Sequence, residues 1–188
     1  WILGATYSHL RKKQPVVRKE NVDGINYYWV RTNTYKGNGI GRIFSMFVFV
    51  IKLMFFSKSI YELFQPDVVI ASSTYPLDIF PAKKIARRYK AKLIYEVHDL
   101  WPLSPMEIGG YSKWHPFIVV MQMAENFAYK YSDRVVSLLP NSLEHMEEHG
   151  LERSKFVYIP NGFDETEWEN KGKPQISPYH TFFNKLKK

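Results

Sequence analysis

The chain has 188 residues, 45% of them hydrophobic and 23% charged, a balance that suits one domain with a sizeable core and excludes a disordered polymer. It contains no cysteine, which excludes a disulfide scaffold, a zinc ribbon and a thiol nucleophile and fits a reducing, cytoplasmic setting. Lys and Arg outnumber Asp and Glu by 26 to 18, a formal net charge of +8, so the surface should attract an anion: nucleic acid, a phosphorylated small molecule or a membrane face.

The first residues, WILGA (1–5), read as a strand met in its middle, so sequence upstream of Trp1 is expected; no signal-peptide pattern opens the chain. A second strand is expected over INYYWVRT (25–32). The segment GRIFSMFVFVIKLMFF (41–56) is the most hydrophobic in the chain, too short and too charged at its ends to span a bilayer. A buried crossover helix explains it most simply; a face lying on an anionic membrane, helped by Arg42, Lys52 and Lys58, is the alternative.

Four further strands follow at 67–72, 92–98, 133–139 and 155–160. They are near-continuously apolar, as parallel strands covered on both faces are. Between them lie helical patterns. Residues 76–90 set Leu77, Phe80, Ile85 and Tyr89 inward and Lys83, Lys84, Arg87 and Arg88 outward. Residues 116–132 carry a stripe of Phe117, Met121, Ala124, Ala128 and Tyr131, with Pro116 at a first helical position. Residues 141–150 have Asn141 or Ser142 to cap the start and Gly150 to close the end. This alternation predicts an α/β fold, a Rossmann-like, doubly wound and mostly parallel sheet.

Ligands of such sheets bind beyond the carboxyl ends of the strands. Four loops should share that rim: SSTYP (72–76), His98 with Asp99, LPNS (139–142) and IPNGFD (159–164). A His at a strand end can donate to a phosphate or a sugar hydroxyl and an adjacent carboxylate can orient one. From the residues alone, His98 and Asp99 could equally be satisfied structural groups capping a turn.

Other motifs are weaker. HMEEH (145–149) matches H-x-x-E-H, and its two histidines point the same way on a helix. Gly150 follows at once and no downstream helix offers a third ligand, so a solvated helix face is the simpler reading and no metal is expected. YKGNGIGRI lacks the G-x-G-x-x-G spacing, and no P-loop sequence is present. The basic runs 11–13 and 87–92 come without a nucleic-acid-binding signature, so no nucleic-acid partner is expected.

Taken in order, DVVIASSTYPLDIFPA, KLIYEVHDLWP and AYKYSDRVVSLLPNSLEHMEEHGLERSKFVYIPNGFD resemble the N-terminal half of a GT-B glycosyltransferase of family 4 (group 1), of the kind that builds bacterial surface polysaccharide such as capsule or O-antigen. The match covers about residues 65–164. The resemblance implies two Rossmann-like domains across a cleft, with a nucleotide-sugar as co-substrate, no other cofactor, retention of anomeric configuration and no metal at the transfer site. His98 and Asp99 would then be catalytic, with His98 near the transferred sugar and the donor phosphates. Ser73, Thr74, Tyr75 and Trp101 would line the acceptor side, and Asn161 with Gly162 would form the turn towards the donor side. The acceptor would be a saccharide or a lipid-linked one, with cytoplasmic localisation, peripheral to the inner membrane face.

The family's first strand with its glycine-bearing loop has no counterpart before Trp1, and its second, donor-binding domain has none here either. Glu144 and Glu152 show the E-x7-E spacing of that domain only by chance, since they straddle Gly150. The expected organisation is therefore an acceptor-side domain over 1–164, a linker over 165–188 towards the protein's own C-terminal domain, and a fragment that is inactive alone. A non-catalytic binding module docking on anionic membrane or a partner is the alternative.

Overall fold

The computed structural model describes residues 1–8, 11, 14–37, 39–56 and 62–162. Lys12, Lys13 and Lys58, the end of the IPNGFD loop and the expected linker lie outside the described residues.

Among the described residues seven strands and five α-helices follow one another: β1 (Ile2–Ala5), β2 (Lys19–Val22), β3 (Ile25–Val30), α1 (Ile40–Met54), β4 (Val68–Ala71), α2 (Ile79–Tyr89), β5 (Lys92–Val97), α3 (Leu103–Gly109), α4 (Pro116–Tyr131), β6 (Arg134–Ser137), α5 (Leu143–Glu148) and β7 (Phe156–Tyr158). They make two sheets: a three-stranded one, ordered β1-β3-β2, and a four-stranded one, ordered β4-β5-β6-β7. Every pairing in the larger sheet is parallel, and β1 also runs parallel to β3. Rossmann-like α/β architecture is thus what the alternation of strands and helices produces.

β2 was not expected from the sequence. It forms because Asp23 and Gly24 both adopt positive φ, at 51° and 82°, the backbone that a two-residue hairpin needs for its twist. On the other side of β3, Gly4 faces Trp29 in register, and a Cβ at Gly4 would fall 2.5 Å from the indole.

The buried side chains form one core. Leu93, Tyr95 and Val97 of β5 are all buried while their alternate neighbours Ile94 and Glu96 are half-buried, the period-two signature of a sheet with one face packed. That face meets the helices, as the contact of the Tyr95 and Tyr129 rings shows. The opposite face leaves Val68 46% and Ile70 56% exposed.

Two expected helix faces are corrected. In α4 the buried line runs through Ile118, Met121, Ala124, Glu125, Ala128 and Tyr129; Tyr131 is exposed, because its ring covers Phe127 at the surface and receives Lys83 and Lys130 above it. In α2 the buried residues are Ile79, Pro81, Ala82, Ile85 and Ala86, and Phe80 and Tyr89 are only half-buried. Ser142 occupies the N-cap of α5 without a side-chain cap bond; its hydroxyl is spent on Ser137 Oγ at 2.7 Å and on the Leu139 carbonyl at 3.0 Å. Pro116 does sit at the start of α4 and Gly150 does close α5 at φ 95°.

The corner between α4 and β6 is tied to β5 by Asp133. Its amide donates to the Leu93 carbonyl and its carboxylate accepts from the Leu93 amide, both at 2.8 Å. That backbone bond holds the Asp133 carboxyl below the usual carboxylate range, with Lys92 adding to it. Leu93 itself is fully buried. Leu93→Ala should lower unfolding free energy by about 2–5 kcal/mol, the range for a buried Leu truncated in place, measured as a reduced urea midpoint at unchanged slope.

Candidate functional site

Because β4 to β7 all run the same way, their carboxyl ends make one rim. The segments just past them are Ser72–Ser73, His98–Asp99, Leu138–Ser142 and Ile159–Gly162. Pairing continues into two of these loops: the Leu138 amide donates to the Val97 carbonyl at 3.2 Å and the Ile159 amide to the Ser137 carbonyl at 3.0 Å.

Glu96 and His98 are two residues apart on β5 and its extension, so both project from the face opposite the helices. The register Ala71↔Tyr95, carried one residue further, sets Ser72 beside Glu96. A three-membered cluster results. The Ser72 hydroxyl donates to Glu96 Oε2 and lies 3.0 Å from His98 Nε2, which is 3.3 Å from the same carboxylate oxygen. The side chains of His98 and Glu96 are 33% and 29% exposed: held by partners yet reachable. The sequence pointed to His98 but not to Glu96 as its partner; the period-two spacing of the two was the available signal.

Asp99 is engaged by its own loop. One oxygen accepts from the Ser104 hydroxyl at 2.6 Å and the other from the Trp101 indole N–H at 3.2 Å. The Trp101 ring stands edge-on to Phe117, centroids 6.1 Å apart. The carboxylate therefore shapes the turn from β5 into α3, a short helix the sequence reading did not expect. Thr74, Asn161 and Gly162 are exposed, while Ser73, Tyr75 and Trp101 are half-buried.

A cavity of about 720 Å³ borders this rim. It runs along β4 and reaches the first residues of β1, with Phe49, Leu53, Ala82 and Ile85 on its apolar side and Ser72, Ser73, Asp78 and Glu96 on its polar side. β1 and β4 are each the last strand of their own sheet, so the cavity separates two edges.

Asp78 is the residue sequence reasoning missed; nothing in the apolar run around it marks it. It is buried, and its Oδ1 finds no hydrogen-bond partner among the described residues. Desolvation raises its pKa from 3.8 to about 6, opposed by hydrogen bonds from the Ser73 hydroxyl and nearby amides. Burial, with the Asp78 charge second, also holds the Tyr75 phenol well above its ordinary value. A carboxyl poised near neutrality in a cleft is a recurring mark of functional sites.

The raised pKa fixes a pH dependence. Between about pH 4 and 6 the unfolded chain has lost the Asp78 proton and the folded chain has kept it, so stability falls as pH rises through that window. Asp78→Asn should remove that slope and stabilise the protein at pH 7 by up to about 3 kcal/mol, read from thermal or urea unfolding of both proteins at pH 4 and 7.

Among known proteins, the profile of the glycosyl transferase 4-like domain family matches residues 6–162. No curated protein matches the sequence. The fold is similar to that of HepE from Anabaena, solved in complex with UDP-glucose, at a TM-score of 0.50 and 18% identity. That alignment covers 87% of this chain and 36% of HepE, so the chain spans little more than a third of the relative's length. HepE in complex with UDP and glucose aligns over 76% of this chain and 33% of its own, at 18% identity and a TM-score of 0.48. With the matched segment running through all four rim loops, the chain belongs to the glycosyl transferase 4-like domain family.

Proposed function

We propose that this chain is the acceptor-side half of a glycosyltransferase that moves a sugar from a nucleotide-sugar to a saccharide or lipid-linked acceptor, with retention of configuration. The observation that carries the reading is the Ser72–Glu96–His98 cluster at the carboxyl edge of a family-matched sheet. A nucleotide-sugar as donor is in keeping with the ligand bound to HepE.

In this reading His98 hydrogen-bonds the transferred sugar or the donor phosphate, and Ser72 and Glu96 fix its ring. A transferred glycosyl group gains positive charge while the departing diphosphate gains negative charge. Groups held rigidly in place stabilise both without reorganising. Asp99 acts through the loop it organises, Trp101 and Ser73 to Tyr75 face the acceptor, and Asn161 with Gly162 leads towards the donor side. The chemistry uses no cofactor and no metal at the transfer site, and the donor-binding determinants belong to the C-terminal domain of the whole protein.

A second reading, a non-catalytic module on an anionic membrane face, is favoured by α1. Its outer side exposes Ile40, Phe44 and Ile51 at helical spacing, with Phe55 exposed at its C-cap. Among the described residues no helix is long and apolar enough to cross a membrane, so contact through α1 would be peripheral, and it is compatible with a lipid-linked acceptor.

In the full-length protein, His98→Ala should reduce sugar transfer by about 10²–10³-fold, the loss seen when one fixed donor at a developing charge is removed, in a radiolabelled nucleotide-sugar assay. Unchanged turnover would take His98 out of this role. Flotation with phosphatidylglycerol vesicles should show binding that weakens in raised salt and that Phe44→Ser with Phe55→Ser abolishes. Equal flotation of the variant removes α1 from the contact.

A further inference from the structure

HMEEH runs along α5 to its C-cap, and the rings of His145 and His149, one helical turn apart, have centroids 4.3 Å apart and planes tilted by 35°. A third ligand is not available downstream, but the fold supplies one from upstream. Glu125 of α4 is 1% exposed, a carboxylate on a helix face otherwise made of Ile118, Met121, Ala124 and Ala128. Its Oε1 is 3.3 Å from His145 Nε2, and one donor atom from each of Glu125, His145 and His149 lies within 4.8 Å of the others.

The surroundings prepare these groups as ligands. Tyr129 O–H donates to Glu125 Oε1 at 2.8 Å and the Gln122 side-chain N–H to Oε2 at 2.7 Å. His149 Nδ1 is 2.8 Å from the His145 carbonyl. A carbonyl only accepts, so Nδ1 carries the proton and Nε2 keeps its lone pair. Ligands oriented by outer hydrogen bonds of these kinds are the rule at metal centres.

We propose that Glu125, His145 and His149 bind a divalent zinc-class ion that pins α5 to α4. Tetrahedral zinc with bonds of about 2.0–2.1 Å sets its ligand atoms about 3.3 Å apart, the observed spacing of Glu125 Oε1 and His145 Nε2, whose bridging proton the ion releases to solvent on binding. His149, half-buried near the end of α5, brings its donor atom within 4.8 Å of the other two. The His145 side chain is 16% exposed, so water can reach a fourth position. Because α5 begins where the Leu138–Ser142 loop ends, the ion would also fix one wall of the rim. This site is separate from the His98 cluster and does not rest on the glycosyltransferase reading.

The test is titration of chelator-treated full chain with Zn²⁺ against a competing indicator, and with Co²⁺ followed by visible absorption. One equivalent, tetrahedral Co²⁺ bands and a raised melting temperature with Zn²⁺ are expected. The one-to-one step should vanish in His149→Ala and in Glu125→Gln, and Tyr129→Phe should weaken it by about 10–100-fold. His149→Ala lies at a half-exposed helix end, and its metal-free melting temperature, unchanged from wild type, controls for folding. Absence of a stoichiometric step in the wild type overturns the proposal, leaving a metal-free Glu125–His145 hydrogen bond. So does a step retained in the His145→Ala, His149→Ala double variant, which would assign the ion to another of the six histidines.

Discussion

The site depends on the backbone register between β4 and β5. Side chains alternate across a strand, so a slip of one residue would carry Glu96 and His98 to the helix-covered face and turn Leu93, Tyr95 and Val97 out to solvent. The cost of exposing those three buried side chains, each contributing about 1.5–3 kcal/mol when removed from water, is what keeps Ser72, Glu96 and His98 together. Hydrocarbon burial on one face of the sheet thereby sets the geometry of polar groups on the other. Asp133 adds a second lock at the opposite end of the strand by gripping both backbone groups of Leu93.

Much of this was legible in the sequence because parallel strands and amphipathic helices leave periodic marks. The apolar runs gave β4 to β7, and the strand-end rule gave the rim and His98. β2 was hidden by its charged and polar residues, Lys19, Glu20 and Asn21, though the Asp23–Gly24 turn announced it. The α4 stripe was misplaced because Glu125 sits on the buried side: a carboxylate there looks like a surface residue until Tyr129 and Gln122 are seen to satisfy it. Glu96 was overlooked for the opposite reason, as one polar residue inside an apolar run. Asp78 leaves no mark in the sequence, since its burial follows only from how α2 meets the cavity.

The two buried acids show how surroundings divide the labour of like groups. Glu125 has donors at both oxygens and is built into the contact of α4 with α5. Asp78 has one oxygen without a partner among the described residues, borders a cavity and has its pKa raised to about 6. Burial of charge without full compensation is costly, and Asp78 bears that cost beside the proposed site of chemistry.

The most direct measurement is the set of imidazole nitrogen and carbon-bound proton resonances of the full-length protein, followed by NMR as a nucleotide-sugar is added. If the rim cluster is the ligand site, His98 signals move in a saturable way and lose their response in Ser72→Ala, while those of His115, on the α3–α4 turn, stay in place. Saturable binding that leaves the His98 signals unmoved would contradict the cluster as the point of contact.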